Sequence, residues 1–401
     1  MVPIDWKTQK IAKAGVQVID GDRGTNYPKA SDFFEDEYCL FLSAKNVTKN
    51  GFKFDERQFI TKEKCNAMSK GLLTRGDIVL TTRGTVGNIA LYKDEIPYES
   101  VRINSGMLIL RNTNGSISND YLYKLLRSPV VDRQFDRLAF GSAQPQLTVQ
   151  TVKSLDLPLP PLPEQKKIAQ ILSAWDMAIE TVGKLIENSQ KQKKWLMQNL
   201  LTGKKRLPGF RGEWEEGTLS KMASITMGQS PAGETYNTDG KGLPLLNGPT
   251  EFTERYPVKK QWTYSPTKIC NPGDVLLCVR GSSTGRMNKS DDTYCIGRGI
   301  AAISSNKNGV VEFIEHLLVH ITDIIISMTS GSTFPNIDKK TLGSIKVSIP
   351  PLDEQKAIAK VLSVNDRTTE GLEELRDQYQ FQKKALMQQL LTGKRRVRVS
   401  E

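Results

Sequence analysis

An α+β chain is predicted: two mixed β-rich domains, each leading into a long helix, with the two helices paired antiparallel as a coiled coil in a pseudo-twofold internal repeat. Three observations carry this reading. Residues 160–206, PPLPEQKKIAQILSAWDMAIETVGKLIENSQKQKKWLMQNLLTGKKR, recur as residues 350–396, PPLDEQKAIAKVLSVNDRTTEGLEELRDQYQFQKKALMQQLLTGKRR, at a constant offset of 190 and without a gap. Both copies carry apolar residues that step by three and four, the pattern of a helical seam. The stretches before them alternate short apolar runs with glycine- and asparagine-rich turn signals, which is how strands are written. The domains follow as residues 1–157 and 207–347, with the repeated segments at 158–206 and 348–401.

The two bodies come first. GDIVLTTRGTVGNIALY reads as strand, glycine turn, strand, and SGMLILRN and GIAAISSN read as further strands. NDYLYKLLRSPVVDRQF and VVEFIEHLLVHITDIIISM read as helices. The bodies diverge but share landmarks. GDIVLTTRG at 76–84 echoes GDVLLCVRG at 273–281, and GSAQP at 141–145 matches GSTFP at 331–335. The first offset is 197 and the second 190, so the first body is the longer between the two landmarks. Trp6 and Trp214 open the halves in similar settings, DWK and EWE.

The repeated segments come next. Ile168, Ile171, Trp175, Ala178, Val182 and Leu185 make the first stripe, and Ile358, Val361, Asn365, Thr368, Leu372 and Leu375 the second. The residues expected to pair the helices are Ile171, Trp175, Val182, Leu185, Val361, Asn365, Leu372 and Leu375, because neither stripe can be buried alone. Asn365 stands where the first copy has Trp175; it reads either as a marker of register or as a locally exposed seam. Prolines 160, 161 and 163, and 350 and 351, are expected to delay each helix to Glu164 and Glu354, with Asp353 as the second N-cap. Gly203 and Gly393, each followed by a basic triplet, sit where a C-terminal glycine belongs. A helix of about 39 residues runs roughly 58 Å, more than one small domain needs.

Composition sets the class. The chain has 401 residues, 25% of them charged, and a net charge of +12. That excess favours a polyanion, nucleic acid before an acidic membrane surface, although a merely basic surface would read the same. No apolar stretch is long enough to span a bilayer and MVPIDWKTQK holds no signal region, so a cytoplasmic location is expected. The five cysteines, Cys39, Cys65, Cys270, Cys278 and Cys295, show no metal-binding spacing and read as reduced core residues. His316 and His320, the two histidines, are spaced as a zinc pair, but Leu317 stands where a catalytic Glu belongs, so the pair reads as a packed helix face and no metal is expected. There is no phosphate-binding loop, no NPPY-like tetrapeptide and no nuclease arrangement, so neither catalysis nor a cofactor is expected in this chain.

Two loops in each half have the residues for DNA contact. After the shared strand come Thr81, Thr82, Arg83, Gly84 and Thr85 in the first half, and Arg280, Gly281, Ser282, Ser283, Thr284 and Arg286 in the second. Glycine allows close backbone approach, hydroxyls bond phosphate, and arginine matches either phosphate or the guanine edge. Recurrence at equivalent places favours DNA contact over an ordinary turn. The second loop offers Ser142, Gln144 and Gln146, and Ser332, Thr333 and Asn336. Gln and Asn suit adenine edges and Ser and Thr suit phosphates, but a simple linker into the helix reads equally well.

The doubled P-P-L-x-E-Q-x-x-I-A…L-L-T-G-K-[KR]-R tail, the two unlike bodies before it, and the bridge RLPGFRGEW at 206–214 together resemble the specificity subunit of type I restriction-modification enzymes. The resemblance covers essentially the whole chain. It implies target recognition domains that each read one half of a split, asymmetric double-stranded DNA sequence. It also implies spacer helices that set the separation and dock two methyltransferase (M) subunits carrying S-adenosylmethionine. Motor-nuclease (R) subunits using ATP and Mg2+ complete such complexes. Two other readings stand beside it: a self-contained methyltransferase or nuclease with diverged motifs, and a coiled-coil adaptor without sequence-specific DNA binding.

Overall fold

Eight strands and two helices position everything that follows. The computed structural model describes residues 3–139, 147–329 and 336–398. Two compact units divide the chain: one takes the residues up to Thr181 together with those from Leu375, and the other takes Val182–Glu374. The strands are β1 (Val16–Asp20), β2 (Ile78–Thr81), β3 (Ile89–Leu91) and β4 (Met107–Asn112) in the first unit. In the second they are β5 (Ala223–Met227), β6 (Val275–Cys278), β7 (Met287–Lys289) and β8 (Ile300–Ser305). The long helices are α1 (Leu162–Leu200) and α2 (Leu352–Leu390), 39 residues each.

The first unit is built on an antiparallel sheet in the order β1-β4-β2-β3. Its strands read as unbroken apolar runs, IVL and MLIL, because both faces are covered. Ile78, Leu80, Leu108 and Leu110 face a cluster with Tyr121, Leu122, Ile168 and Leu172. Val79, Met107 and Ile109 face a second cluster with Leu40, Leu42, Phe59 and Val101. Alternate residues of a strand point to opposite faces, so the sheet is sandwiched between helices on one side and a smaller sheet on the other. The predicted helix over NDYLYKLLRSPVVDRQF is two helices, Asn119–Leu126 and Pro129–Ala139, broken where Pro129 cannot continue the first.

The second unit repeats this plan. Its sheet runs β5-β8-β6-β7, also antiparallel. Val275, Leu277, Ala301 and Ile303 face one cluster, with Phe313, Leu317, Ile358 and Leu362; Leu276, Cys278, Ile300 and Ala302 face the other. A short strand pair closes each unit ahead of its long helix: Lys7–Lys10 with Asp156–Leu159, and Glu215–Thr218 with Lys346–Ile349.

Both long helices begin earlier than the prolines suggest. They start at Leu162 and Leu352, which places Pro163 in a first turn, where its missing N–H removes no helical bond. Asp353 therefore lies inside the first turn instead of capping it. At the other ends Gly203 and Gly393 take φ of 69° and 71°, a left-handed conformation that a side chain would strain. No helix among the described residues is long and apolar enough to cross a membrane. All five cysteines are buried and free.

The Glu-Gln pair of the repeated motif makes the same bonds in both units. In the first, Arg396 Nε and Nη2 each donate to Glu164 at 2.8 Å, Trp6 Nε1 donates to the same carboxylate at 3.2 Å, and Arg396 also grips Asp5. In the second, Arg206 makes the bidentate pair with Glu354 at 2.5 Å and Trp214 Nε1 donates at 3.0 Å. Gln165 accepts from Ser118 N and donates to Pro160 O; Gln355 accepts from Val310 N and donates to Pro350 O. The basic tail of each sequence copy therefore closes on the Glu-Gln motif of the other copy. Two buried carboxylates need two bidentate arginines, which is a physical reason for both motifs to recur.

The parts of α1 and α2 inside each unit lie side by side, joined by bonds that differ between units. In the first, Trp175 and Tyr379 meet edge to face with ring centres 5.5 Å apart, and Asp176 bonds both Lys383 and Lys124. In the second, Asn365 donates to Ser189 Oγ at 3.3 Å, Ser189 and Thr369 hydroxyls are 2.7 Å apart, and Lys193 pairs with Asp366 at 2.5 Å. Val182 and Ile186 are buried, while Ile171, Trp175, Val361, Leu372 and Leu375 are half-buried. Leu185 departs from the expectation, with 47% of it exposed: Ile186 takes the inward position, and Leu185 lines an open groove of about 560 Å³ with Val361, Val364, Thr368 and Leu372. Asn365 is buried, so the seam stays closed at that position and opens at Thr368 instead.

Candidate nucleic-acid interface

The two arginine turns are anchored by matching backbone bonds. At the end of β2, Thr82 N donates to Gly106 O at 2.7 Å and Thr82 O accepts from Leu147 N at 3.4 Å. At the end of β6, Val279 N donates to Gly299 O and its carbonyl accepts from Ile337 N, both at 2.9 Å. Each turn then closes on the last strand residue: Gly87 N donates to Thr81 O, and Gly285 N to Cys278 O, both at 2.9 Å. Gly84 and Gly281 take φ of 72° and 73°, and a Cβ on either would meet nothing within 4 Å. The conformation is what requires glycine there, and the space beside it stays open. Both turns thus present a backbone that another molecule can approach closely.

The structure separates the candidate residues into groups. Arg83, Gly84 and Thr85 are exposed at the tip of the first turn, as are Arg280, Ser282 and Arg286 at the second, with Gly281, Ser283 and Thr284 half-buried. Thr81 and Thr82 differ from these in being buried, at 0% and 3% exposed. The Thr81 hydroxyl donates to Thr85 O and accepts from Asn88 N at 3.0 Å, and the Thr82 hydroxyl donates to Gly106 O at 2.9 Å. Both hydroxyls are engaged in holding the hairpin that carries Arg83. The hydroxyl-rich sequence is the same for both jobs; burial at the end of a two-faced sheet is what distinguishes them.

In the second unit Asn336 meets the arginine turn. Arg280 and Asn336 form an isolated antiparallel bridge, and Arg280 Nε donates to Asn336 Oδ1 at 3.1 Å. Arg286 is steadied from another loop, its Nη2 donating to Phe252 O at 3.0 Å. Ser142, Gln144, Gln146, Ser332 and Thr333 lie outside the described residues.

Ionic anchors that sequence inspection passed over support each body. In the first unit Asp176 receives Lys124 and Lys383. Burial pushes the Asp176 carboxyl up, but the two lysine hydrogen bonds outweigh it and hold the group below 3.8; burial also lowers Lys124. In the second unit the equivalent carboxylate, Asp366, receives Lys193, and His316 replaces Lys124 as the third member, 3.9 Å from Asp366. His316 Nε2 also lies 3.2 Å from Ser363 Oγ, and burial lowers its pKa below 6.5 against the opposing pull of Asp366 and Glu315. Its ring is thus engaged inside the unit, and among the described residues no group of His, Cys, Asp and Glu is arranged to hold a metal. The offset of 190 relates both Asp176 to Asp366 and Lys193 to Lys383, the signal by which these anchors could have been found.

Comparison with known proteins gives three findings. Residues 3–188 and 211–378 match the family model of the type I restriction modification DNA specificity domain. The chain is similar, at 36% identity over 369 residues, to a putative type I restriction enzyme MjaX specificity subunit of Methanocaldococcus jannaschii, covering 88% of this chain and 84% of that one. Among solved structures it is similar to a chain from work on complex assembly and conformational transition of the type I R-M system. There the TM-score is 0.64 and the identity 25%, over 98% of this chain and 99% of the other. The fold is likewise similar to the HsdS subunit from Thermoanaerobacter tengcongensis, with a TM-score of 0.54 at 24% identity, over 98% of each chain.

Proposed function

Since the chain belongs to the type I restriction modification DNA specificity family, we propose that its two units read the two halves of a bipartite, asymmetric double-stranded DNA target while α1 and α2 set the distance between them. It is the sequence-specific DNA-recognition component of a restriction-modification complex, and it is not the catalytic one. Body 1–157 takes one half-site and body 207–347 the other. The turn residues, exposed Arg83, Gly84, Thr85, Arg280, Ser282 and Arg286 with half-buried Gly281 and Ser283, meet the DNA. The loops at 141–146 and 331–336 join them there. The helices form an antiparallel coiled-coil spacer whose outer faces dock two methyltransferase subunits. Those subunits bring S-adenosylmethionine, and motor-nuclease subunits bring ATP and Mg2+, all in the cytoplasm.

One observation carries this reading. The frame is made twice from the same residues, Glu164 with Arg396 and Trp6, and Glu354 with Arg206 and Trp214, while the bodies set on it differ in sequence. Duplication for affinity alone would have no need of unlike bodies. A frame repeated around unlike readers suits a target whose halves differ, and it offers matching faces to two copies of one partner.

The test exchanges one body. Residues 1–150 are replaced by the corresponding stretch of another family member, and the methylated adenines of a host carrying the intact partner subunits are mapped. One half of the motif is expected to change and the other to remain. A change in both halves, or in neither, refutes the modular reading.

A further inference from the structure

Arg280 is held in a way that suits one ligand better than another. Its side chain is exposed, yet its Nε–H is fixed on Asn336 Oδ1 at 3.1 Å. Arg255, another exposed arginine of this unit, is by contrast neutralised by Glu370 at 2.7 Å. Among the described residues no carboxylate lies within 4.0 Å of Arg280, so its charge stays available. The partner on Nε is a neutral amide. It adds no charge for a phosphate to see, but it stops the guanidinium from turning.

We propose that Arg280 reads a guanine in the half-site bound by the second unit, and that Asn336 is the positioning residue that aims it. This rests on the DNA-recognition reading above and deepens it. With Nε engaged on Asn336, Nη1 and Nη2 keep their two parallel donors, the complement of guanine O6 and N7. A phosphate contact tolerates rotation of the guanidinium, because the charge can be met from many directions; a base edge does not. Gly281, with φ of 73° and nothing within 4 Å of a would-be Cβ, lets the turn come close to the groove. The sequence alone suggested adenine for Asn336, but an asparagine reads adenine with its carbonyl and amide together, and here the carbonyl already accepts from Arg280.

The experiment uses the full chain assembled with its methyltransferase subunits and a pool of duplexes randomised across the target, read by sequencing bound and methylated molecules. Arg280→Ala and Asn336→Ala are both expected to lose preference at the same single G·C pair, by roughly 5–150-fold, and nowhere else. Arg280→Lys, which keeps the charge and loses the fork, is expected to behave like Arg280→Ala. Asn336→Asp, whose carboxylate accepts the same bond, is expected to restore the preference that Asn336→Ala loses. The double alanine variant is expected to be no worse than Arg280→Ala alone, since the two residues act as one. Both side chains are exposed, and melting temperatures equal to that of the parent establish that the variants are folded.

Uniform loss on all sequences with a weaker salt dependence would make Arg280 a phosphate contact and overturn the proposal. Loss at a different base pair for Asn336→Ala, or no loss, would overturn it as well. Absence of any sequence preference in the parent complex would instead refute the DNA-recognition reading on which the proposal stands.

Discussion

Asp176→Asn removes the carboxylate that both Lys124 and Lys383 bond in the first unit. The side chains of Lys124, Asp176 and Lys383 are 8%, 33% and 19% exposed, so the variant leaves one almost fully buried ammonium and one partly buried ammonium without their shared anion. Removing one member of a buried pair costs about 3–5 kcal/mol, against about 0–1 kcal/mol for a pair in water. Asp176 is a third exposed and screened to that extent, which places the expected loss near the lower end, about 3 kcal/mol. With a urea m-value of about 2 kcal/mol/M, the midpoint of the first unit should fall by about 1.5 M. Urea titration followed by circular dichroism, with amide exchange reporting which unit opens, measures this without assuming a single transition. The matching variant Asp366→Asn strands only Lys193, because burial favours the neutral form of His316, so its loss should be the smaller. There is also a pH signature. Asp176 is held below 3.8 when folded, so its contribution is complete above the unfolded value and lost as pH falls through the folded one. The gap between parent and Asp176→Asn should therefore narrow as pH drops below 3.8. A loss under 1 kcal/mol for Asp176→Asn, or an equal loss for Asp366→Asn, would refute the argument.

Three further outcomes are expected. His316 has its pKa lowered by burial, with Asp366, Glu315, Lys193 and Lys289 around it, so the unfolded chain takes up its proton first as pH falls below 6.5 and the second unit loses stability there. His316→Gln should flatten the dependence of the urea midpoint between pH 7.5 and 5.5, and an unchanged slope would remove His316 from the account. Gly281→Ala places a side chain at φ of 73° and should cost about 1–2 kcal/mol with no steric clash, so thermal melting should register it as local strain. A drop near zero would mean that the turn relaxes freely. Inserting four helical residues at Thr181 adds about 6 Å of rise and should lengthen the gap between half-sites by about two base pairs, read from the methylated motif. An unchanged gap would sink the spacer argument.

The parts of the fold that depend on local periodicity were legible in the sequence. The gapless offset of 190 located both long helices, and the alternation of apolar runs with glycine turns located β2, β3, β4 and β8. What escaped depends on which surface a residue meets. Thr81 and Thr82 read as hydroxyls for phosphate, yet a sheet covered on both faces buries them. Leu185 fits the heptad step as well as Ile186 does, and only packing tells them apart. The start of the first long helix was misjudged because Pro163, in its first turn, breaks no bond. Trp6, Glu164 and Arg396 were each visible as half of a repeated pair. That they meet one another, and not their neighbours in the same copy, is a fact of topology that no window along the chain contains.

The division of the chain has a consequence for the order in which the protein is made. The second unit, Val182–Glu374, is continuous, but the first is not: it has residues up to Thr181 and needs those from Leu375 to complete it. At about 5–20 residues per second, the ribosome delivers that closing segment roughly 10–40 s after the body it belongs to, some 190 residues later. Through that interval Ile168 and Leu172 lack the cover of Met387, Leu390 and Leu391, and Glu164 lacks Arg396. The unit translated first is thus the one finished last. The nascent chain must keep an apolar helix face out of reach of other chains until its own far end arrives, and chaperone dependence should concentrate on the first unit, not the second.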